Sequence, residues 1–215
     1  MRLAIFACVL LLLERARGVA ESVALAQRGL RLIEQGLHAE AVAVLERSIE
    51  LDDEDGTASS TLLTLGLVWE ELDLPMKALE SYGRALELNP SSAAAHVKFG
   101  AALENHLNER TAAIEAVSAA VELDPTSGEA WDLLGTLHHS SGAMDEAQRA
   151  LSRAVELRPA DAAVRRSYAT ALRATGRFEE SLEQLRQAHA SDGAPDPSLA
   201  FPPGLTPAEL SLIHI

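Results

Sequence analysis

The chain lacks what several protein classes need. Only one of its 215 residues is a cysteine, Cys8, so neither a disulfide framework nor a cysteine-rich zinc site can form within one chain. Aromatic residues make up 4%, too few for the aromatic and β-branched strands of a sandwich or barrel. Basic residues are scarce: 18 Lys and Arg face 32 Asp and Glu, a net charge of −14 with a pI near 4.9. That balance excludes the clustered cations that nucleic acid or an anionic lipid surface requires. There is no phosphate loop, nucleophile elbow or dinucleotide fingerprint, so no cofactor is expected. What is present is alanine and leucine in abundance, with 47% apolar and 23% charged residues. That is the composition of a folded, helical chain.

The first twenty residues read as a targeting segment. Arg2 precedes an apolar run over residues 3–13. Eleven residues are too short for a helical membrane span, which needs about 20, but they match the apolar core of a secretory signal. Gly18-Val19-Ala20 places small residues for cleavage after Ala20. Cleavage would remove Cys8, leaving a mature chain without a thiol, which suits an oxidising compartment. The expected localisation is the secretory pathway (lumenal, secreted or periplasmic), and the alternative, without a signal, is cytoplasmic. No stable membrane insertion is expected after cleavage.

An internal period decides the fold. Prolines stand at 90, 125, 159 and 195, at intervals of 35, 34 and 36 residues. The first three close similar phrases: Ala-Leu-Glu-Leu-Asn-Pro, Ala-Val-Glu-Leu-Asp-Pro and Ala-Val-Glu-Leu-Arg-Pro. A period near 34 in a helical composition signals stacked helix-turn-helix units. Residues 128–161 carry Trp131, Leu134 and Gly135, then Ala147, Leu151, Ala154 and Pro159. Residues 59–92 carry Leu62, Leu65, Gly66 and Trp69, then Ala78, Tyr82, Ala85 and Pro90. Residues 93–127 keep Phe99, Gly100, Leu103, Ala113, Val117, Ala120 and Pro125, with one extra residue expected in the inter-helix turn near Asn108.

This pattern resembles the tetratricopeptide repeat family. The resemblance implies an all-α, right-handed helix-turn-helix solenoid over residues 22–195. Two looser copies flank the three strong ones. Residues 162–195 keep Tyr168, Ala169, Leu172, Leu185 and Ala188 but put Ser181 at the small alanine. Residues 22–55 keep Leu25, Gly29, Leu32, Ala41 and Leu45 but carry Arg28 at an apolar position and no proline. Loose outer copies suit the ends of a stack.

The mid-helix glycines Gly66, Gly100 and Gly135 each cost up to about 1 kcal/mol against alanine. Such a cost is sustained where the second helix comes too close for a side chain, with Ala78, Ala113 and Ala147 expected opposite. Trp69, Tyr82, Phe99 and Trp131 are expected to fill the core. Gly36, Gly142 and Gly176 are expected in left-handed turns between paired helices.

Catalytic and metal chemistry find no support. His138 and His139 diverge by about 100° on a helix, so they cannot face one ion together; His138 is expected at an aromatic position and His139 toward the groove. The acidic run Glu50, Asp52, Asp53, Glu54 and Asp55 lacks the glycine and terminal glutamate of an EF-hand and reads as a solvated loop. No nucleophile, base and oxyanion donors come together, so no enzyme is expected within this chain.

The resemblance implies a concave groove lined by the first helix of each pair. Carried onto this chain, the candidate partner-binding residues are Leu63, Leu67 and Glu70, then Lys98, Ala101 and Glu104, then Asp132, Thr136 and His139, and last Arg166, Thr170 and Arg173. They grade from apolar and acidic to basic. The Lys and Asn clamp of chaperone-tail adaptors is missing: the matching positions hold Ala26, Leu30, Thr64, Glu129 and Leu133, with only Lys98 able to contribute. The asparagine ladder of nucleocytoplasmic sugar transferases is also missing, replaced by Gln27, Thr64, Lys98, Leu133 and Ser167.

Residues 196–209 read as a Pro-rich linker and a helix start, with Thr206 capping, Pro207 at the first helical position and Glu209 completing a capping box. Residues 210–215 are what CTG TCT CTT ATA CAC ATC encodes, which resembles a transposon-derived sequencing adapter, so they are expected to be an artefact. The expected function is a protein-interaction scaffold that binds a partner peptide or protein in its groove. The alternative is the substrate-recognition region of a longer secretory-pathway hydroxylase, glycosyltransferase or sulfotransferase.

Overall fold

The computed structural model describes the backbone of residues 2–51 and 57–192, and side chains from residue 17 onward within those ranges. The acidic run from Asp52 to Asp55, the linker, the helix start at Thr206 and the adapter-like end lie outside the described residues. Those described form ten α-helices and one π-helical turn, with no strand among them. They fall into two compact units that divide between Asn108 and Glu109.

In the first unit, α1 (Arg2–Glu34) packs on α2 (His38–Leu51), α3 (Thr57–Glu71) on α4 (Pro75–Leu88), and α5 (Ala93–Ala102) follows on α4. Helix α1 is continuous, so Gly18, Val19 and Ala20 lie inside it. The core joins Leu45 and Ile49 of α2, Leu62, Leu65, Val68 and Trp69 of α3, and Ala78, Tyr82 and Ala85 of α4. In the second unit, α6 (Arg110–Leu123) packs on α7 (Gly128–Ser141), α7 on α8 (Met144–Leu157), and α9 (Ala162–Ala174) on α8 and α10 (Phe178–Asp192). Ala147, Leu151 and Ala171 form a core there, with Tyr168 against it.

The mid-helix glycines mark close helix approach, but the opposing residues differ from the expectation. A β-carbon on Gly66 would collide with the Tyr82 ring, one on Gly135 with Leu151, and one on Gly29 with Leu45. The partner is thus the large residue sixteen positions on, not the small alanine at twelve. Ala78 and Ala147 are fully buried all the same, because the second helix turns that side into the pair as well.

The inter-helix turns follow expectation where glycine is present. Gly36, Gly142 and Gly176 have φ of 75°, 83° and 77°, where an L side chain is strained. Asp73 and Asn108 take the same left-handed position at φ of 56° and 55°. The extra residue of the third copy is not in the turn itself. It is absorbed just before, in the π-helical turn Leu103–Leu107. A π turn accommodates one added residue without breaking the helix, so Asn108 still reaches the left-handed position.

The proline turns repeat one hydrogen-bond device. Four positions before the mid-helix glycine, or before Ala169 in its place, stand His96, Trp131 and Arg165. His96 Nε2 lies 3.0 Å from the Pro90 carbonyl oxygen, Trp131 Nε1 donates to Pro125 O at 3.0 Å, and Arg165 Nε donates to Pro159 O at 2.9 Å. Beside each, a helix start is capped: Ser92 accepts from Ala95 N–H, Ser127 from Ala130 N–H, and Asp161 from the N–H groups of Ala163 and Val164. Each cap satisfies donors that the first helical turn cannot.

Candidate functional site

The repeat register places every candidate residue but Lys98 on one stripe of the first helices. A mid-helix glycine faces its own pair, so the residue one position on, and those three before and four after, turn elsewhere on the cylinder. On α3 these are Leu67, Leu63 and Glu70. Leu67 is 42% exposed, while Leu63 and Glu70 are half-buried. On α5 they are Ala101, Val97 and Glu104. Val97 is buried, and Lys98 stands one residue out of register and half-buried. Lys98 and Glu104 both have polar partners.

The candidate partner-binding residues include none from α1, where Ala26 and Leu30 entered only as positions lacking the Lys and Asn clamp. Gly29 of α1 fixes the same register, which brings Ala26, Leu30 and Ile33 into play. Leu30 is 49% exposed, the counterpart of Leu67 on a helix that α3 touches. The signal was available in Gly29 and was hidden by Arg28 at an expected apolar position. Arg28 and Arg31 are exposed and stand where α3 has the buried Leu65 and Val68. That stripe of α1 is therefore wettable where its counterpart on α3 is buried.

In the second unit the face is polar. Asp132, Thr136 and His139 on α7 are half-buried, and Arg166, Thr170 and Arg173 on α9 are exposed. Helices α7 and α9 touch, so the two trios are neighbours. Arg166 pairs with Asp192 of α10 at 2.5 Å, and Arg173 is also partnered. Thr170 turns its hydroxyl back to Arg166 O at 2.9 Å. Asp132 is held above its ordinary carboxyl value, chiefly by burial, with the Ser167 hydroxyl and Arg158 pulling the other way. His138 takes the position that Leu32, Trp69, Leu103 and Leu172 fill with buried side chains, and is itself half-buried.

Two aromatic sites are structural in their contacts. The buried Tyr82 hydroxyl has no hydrogen bond of good geometry, and burial together with the nearby Glu70 carboxylate pushes its pKa upward. Lys77 Nζ sits 4.3 Å from the centre of the Trp69 ring. Among the described residues no group of three or more His, Cys, Asp or Glu could hold a metal ion, and no helix is long and apolar enough to cross a membrane.

Two family models, both described as tetratricopeptide repeat, match residues 63–128 and 138–199. The chain belongs to the tetratricopeptide repeat family, a fold of protein-interaction scaffolds. It is similar to a small glutamine-rich tetratricopeptide repeat-containing protein 2 from Mycosarcoma maydis, 32% identical over 119 residues, covering 55% of this chain and 33% of that protein. It is also similar to the mouse (Mus musculus) protein O-mannosyl-transferase TMTC1, 30% identical over 114 residues, covering 52% of this chain and 12% of that protein. The chain thus spans a third or less of the length of these relatives. Among solved structures, MamA aligns with a TM-score of 0.67 at 24% identity, over 80% of this chain and 97% of its own. YrrB, described as a TPR protein with an unusual peptide-binding site, aligns with a TM-score of 0.64 at 21% identity, over 80% and 87%. At these identities the likeness shows the fold alone.

Proposed function

We propose that this chain is a non-catalytic scaffold whose first-helix faces bind a segment of a partner protein. The observation that carries this reading is the exposure of Leu30 and Leu67, 49% and 42%, at one repeat position on two touching helices. Large apolar side chains left at the surface in register are a cost in water, and a partner would remove it. The peptide-binding site named for YrrB supports the same use of the fold. No covalent step is needed: the helices are already held in place by their pairs, so binding requires little ordering.

Selection of a random displayed peptide library on the full chain tests this. Selected peptides should lose binding when first-helix positions are changed, by Leu67→Ser in one unit or Thr170→Asp in the other. Peptides that bind both variants as well as the wild type, or no selected peptides at all, would overturn the reading.

The same proposal places the chain in the secretory pathway, on the apolar run of residues 3–13 and the small residues before Glu21. Cleavage after Ala20 would keep Ser22, whose buried hydroxyl donates to Ser48 O of α2 at 3.0 Å. Mass spectrometry of the secreted form should find Glu21 at the N-terminus; an intact Met1 in a cytosolic fraction would remove this part. A second reading has one observation in its favour, the match to an O-mannosyl-transferase: the repeats would then be the recognition region of a longer secretory-pathway enzyme. Sequencing the transcript past the codon for Glu209 separates the two.

A further inference from the structure

The chemistry of the first unit's face specifies its partner further than the fold does, and this step rests on the proposed use of first-helix faces for binding. Helices α1 and α3 touch and carry the same register. At its centre are Leu30 and Leu67, both exposed. Toward the helix N-termini lie Ala26 and Leu63, both half-buried. Toward the C-termini, five residues past each glycine, stand Glu34 and Glu71, both exposed, with Glu70 half-buried beside them. The face is therefore apolar along most of its length and anionic at one end.

Two things sharpen that end. The C-terminus of a helix carries the negative end of its dipole, so the carboxylates and the helix termini reinforce one another. Two cations on neighbouring helix faces also have contacts of their own. Arg31 Nε donates back to Gln27 O of its own helix at 3.3 Å, and Lys77 sits over Trp69. The matching face of the second unit has Thr136 and Thr170 at its centre and Arg166 and Arg173 beside them, so this chemistry belongs to the first unit alone.

We propose that the α1–α3 face binds a partner segment that carries two or more large apolar side chains and, at one end, lysine or arginine. The leucines supply the contact area. The carboxylates set the direction of the segment and select against acidic competitors.

Three labelled synthetic peptides test this by fluorescence anisotropy on the full chain: a leucine-rich peptide ending in four lysines, its twin ending in four glutamates, and a version of the first with serine for leucine. The lysine peptide should bind about tenfold or more tightly than the glutamate twin, and the serine version should not saturate. Leu30→Ser with Leu67→Ser should weaken the lysine peptide about tenfold or more while leaving the circular dichroism spectrum unchanged, because both side chains are at the surface. Glu34→Gln with Glu71→Gln should weaken it less and flatten its salt dependence. Equal binding of the lysine and glutamate peptides, or indifference to the double serine variant, would overturn the inference. If the library selection returns peptides that depend on the first-helix faces but are acidic or polar, this inference falls and the proposed function stands. If it returns none, both fall.

Discussion

The ring of Tyr82 on α4 fills the space that a β-carbon on Gly66 of α3 would need, with Cδ1 and Cζ at 2.7 and 2.8 Å from that position. Tyr82 is fully buried and its ring is rigid, so it cannot give way cheaply. Gly83, one residue further on, is different: a β-carbon there would meet only Phe99, at an ordinary 3.7 Å. The two glycines sit in helices and share the same intrinsic penalty, yet only one has a packing reason.

Opposite signs should therefore follow from the same substitution. Gly83→Ala should stabilise the chain by about 0.5–1 kcal/mol through helix propensity. Gly66→Ala should destabilise it despite that gain, and Gly135→Leu should cost roughly 1–3 kcal/mol by overpacking against Leu151. Urea midpoints measure all three. An unchanged midpoint for Gly135→Leu would remove the close helix contact as its cause.

Much of this was legible in the sequence, for a physical reason. A repeat that packs on copies of itself must place its glycines, small residues and turn residues at one spacing, so Gly66, Gly135, Ala78, Ala147, Gly142 and Gly176 reveal themselves together. The hydrogen bonds from His96, Trp131 and Arg165 to proline carbonyls did not. Three unlike side chains do one job there, so no residue type repeats, and only their shared distance from the glycine betrays them. Leu30 escaped for another reason. An exposed leucine and a core leucine look alike in a sequence, and Arg28 made its helix read as degenerate.

Ser181 should tolerate the consensus residue. Its buried hydroxyl donates to Ala169 O at 2.7 Å, but that carbonyl lies inside α9 and already has its helical partner. Replacing the hydroxyl strands no buried acceptor, and alanine is the better helix former. Ser181→Ala should change stability by less than about 0.5 kcal/mol or raise it. A loss well above that in a urea titration would mean that the hydroxyl is required to hold α9 and α10 together.

Asp161 should matter through its cap more than its charge. Its carboxylate accepts from Ala163 N–H at 2.8 Å and Val164 N–H at 3.3 Å, and it pairs with Arg158 at 2.5 Å. The pair is partly exposed, where ion pairs contribute little. Asp161→Ala should cost about 1 kcal/mol. Asp161→Asn, which keeps a capping oxygen, should lie close to wild type. Equal losses for the two would transfer the effect to the Arg158 pair.

Asp132 should make the fold weaker as the pH rises. Burial holds its carboxyl above the ordinary value, against smaller opposing pulls from Ser167 and Arg158, and its Oδ1 is buried without a hydrogen-bond partner. A raised carboxyl keeps its proton in the folded chain at a pH where the unfolded chain has lost it. Between the two values the folded state binds more protons, so stability declines as pH climbs through that window and stays lower above it. Asp132→Asn removes the ionisation while leaving an oxygen for Ser167. Its thermal midpoint should exceed that of the wild type at pH 7, and the gap should narrow as the pH falls toward about 4, where the unfolded carboxyl also takes up its proton. A gap that is constant with pH would assign the gain to packing; a lower midpoint at pH 7 would show that Arg158 needs the charge more than burial opposes it.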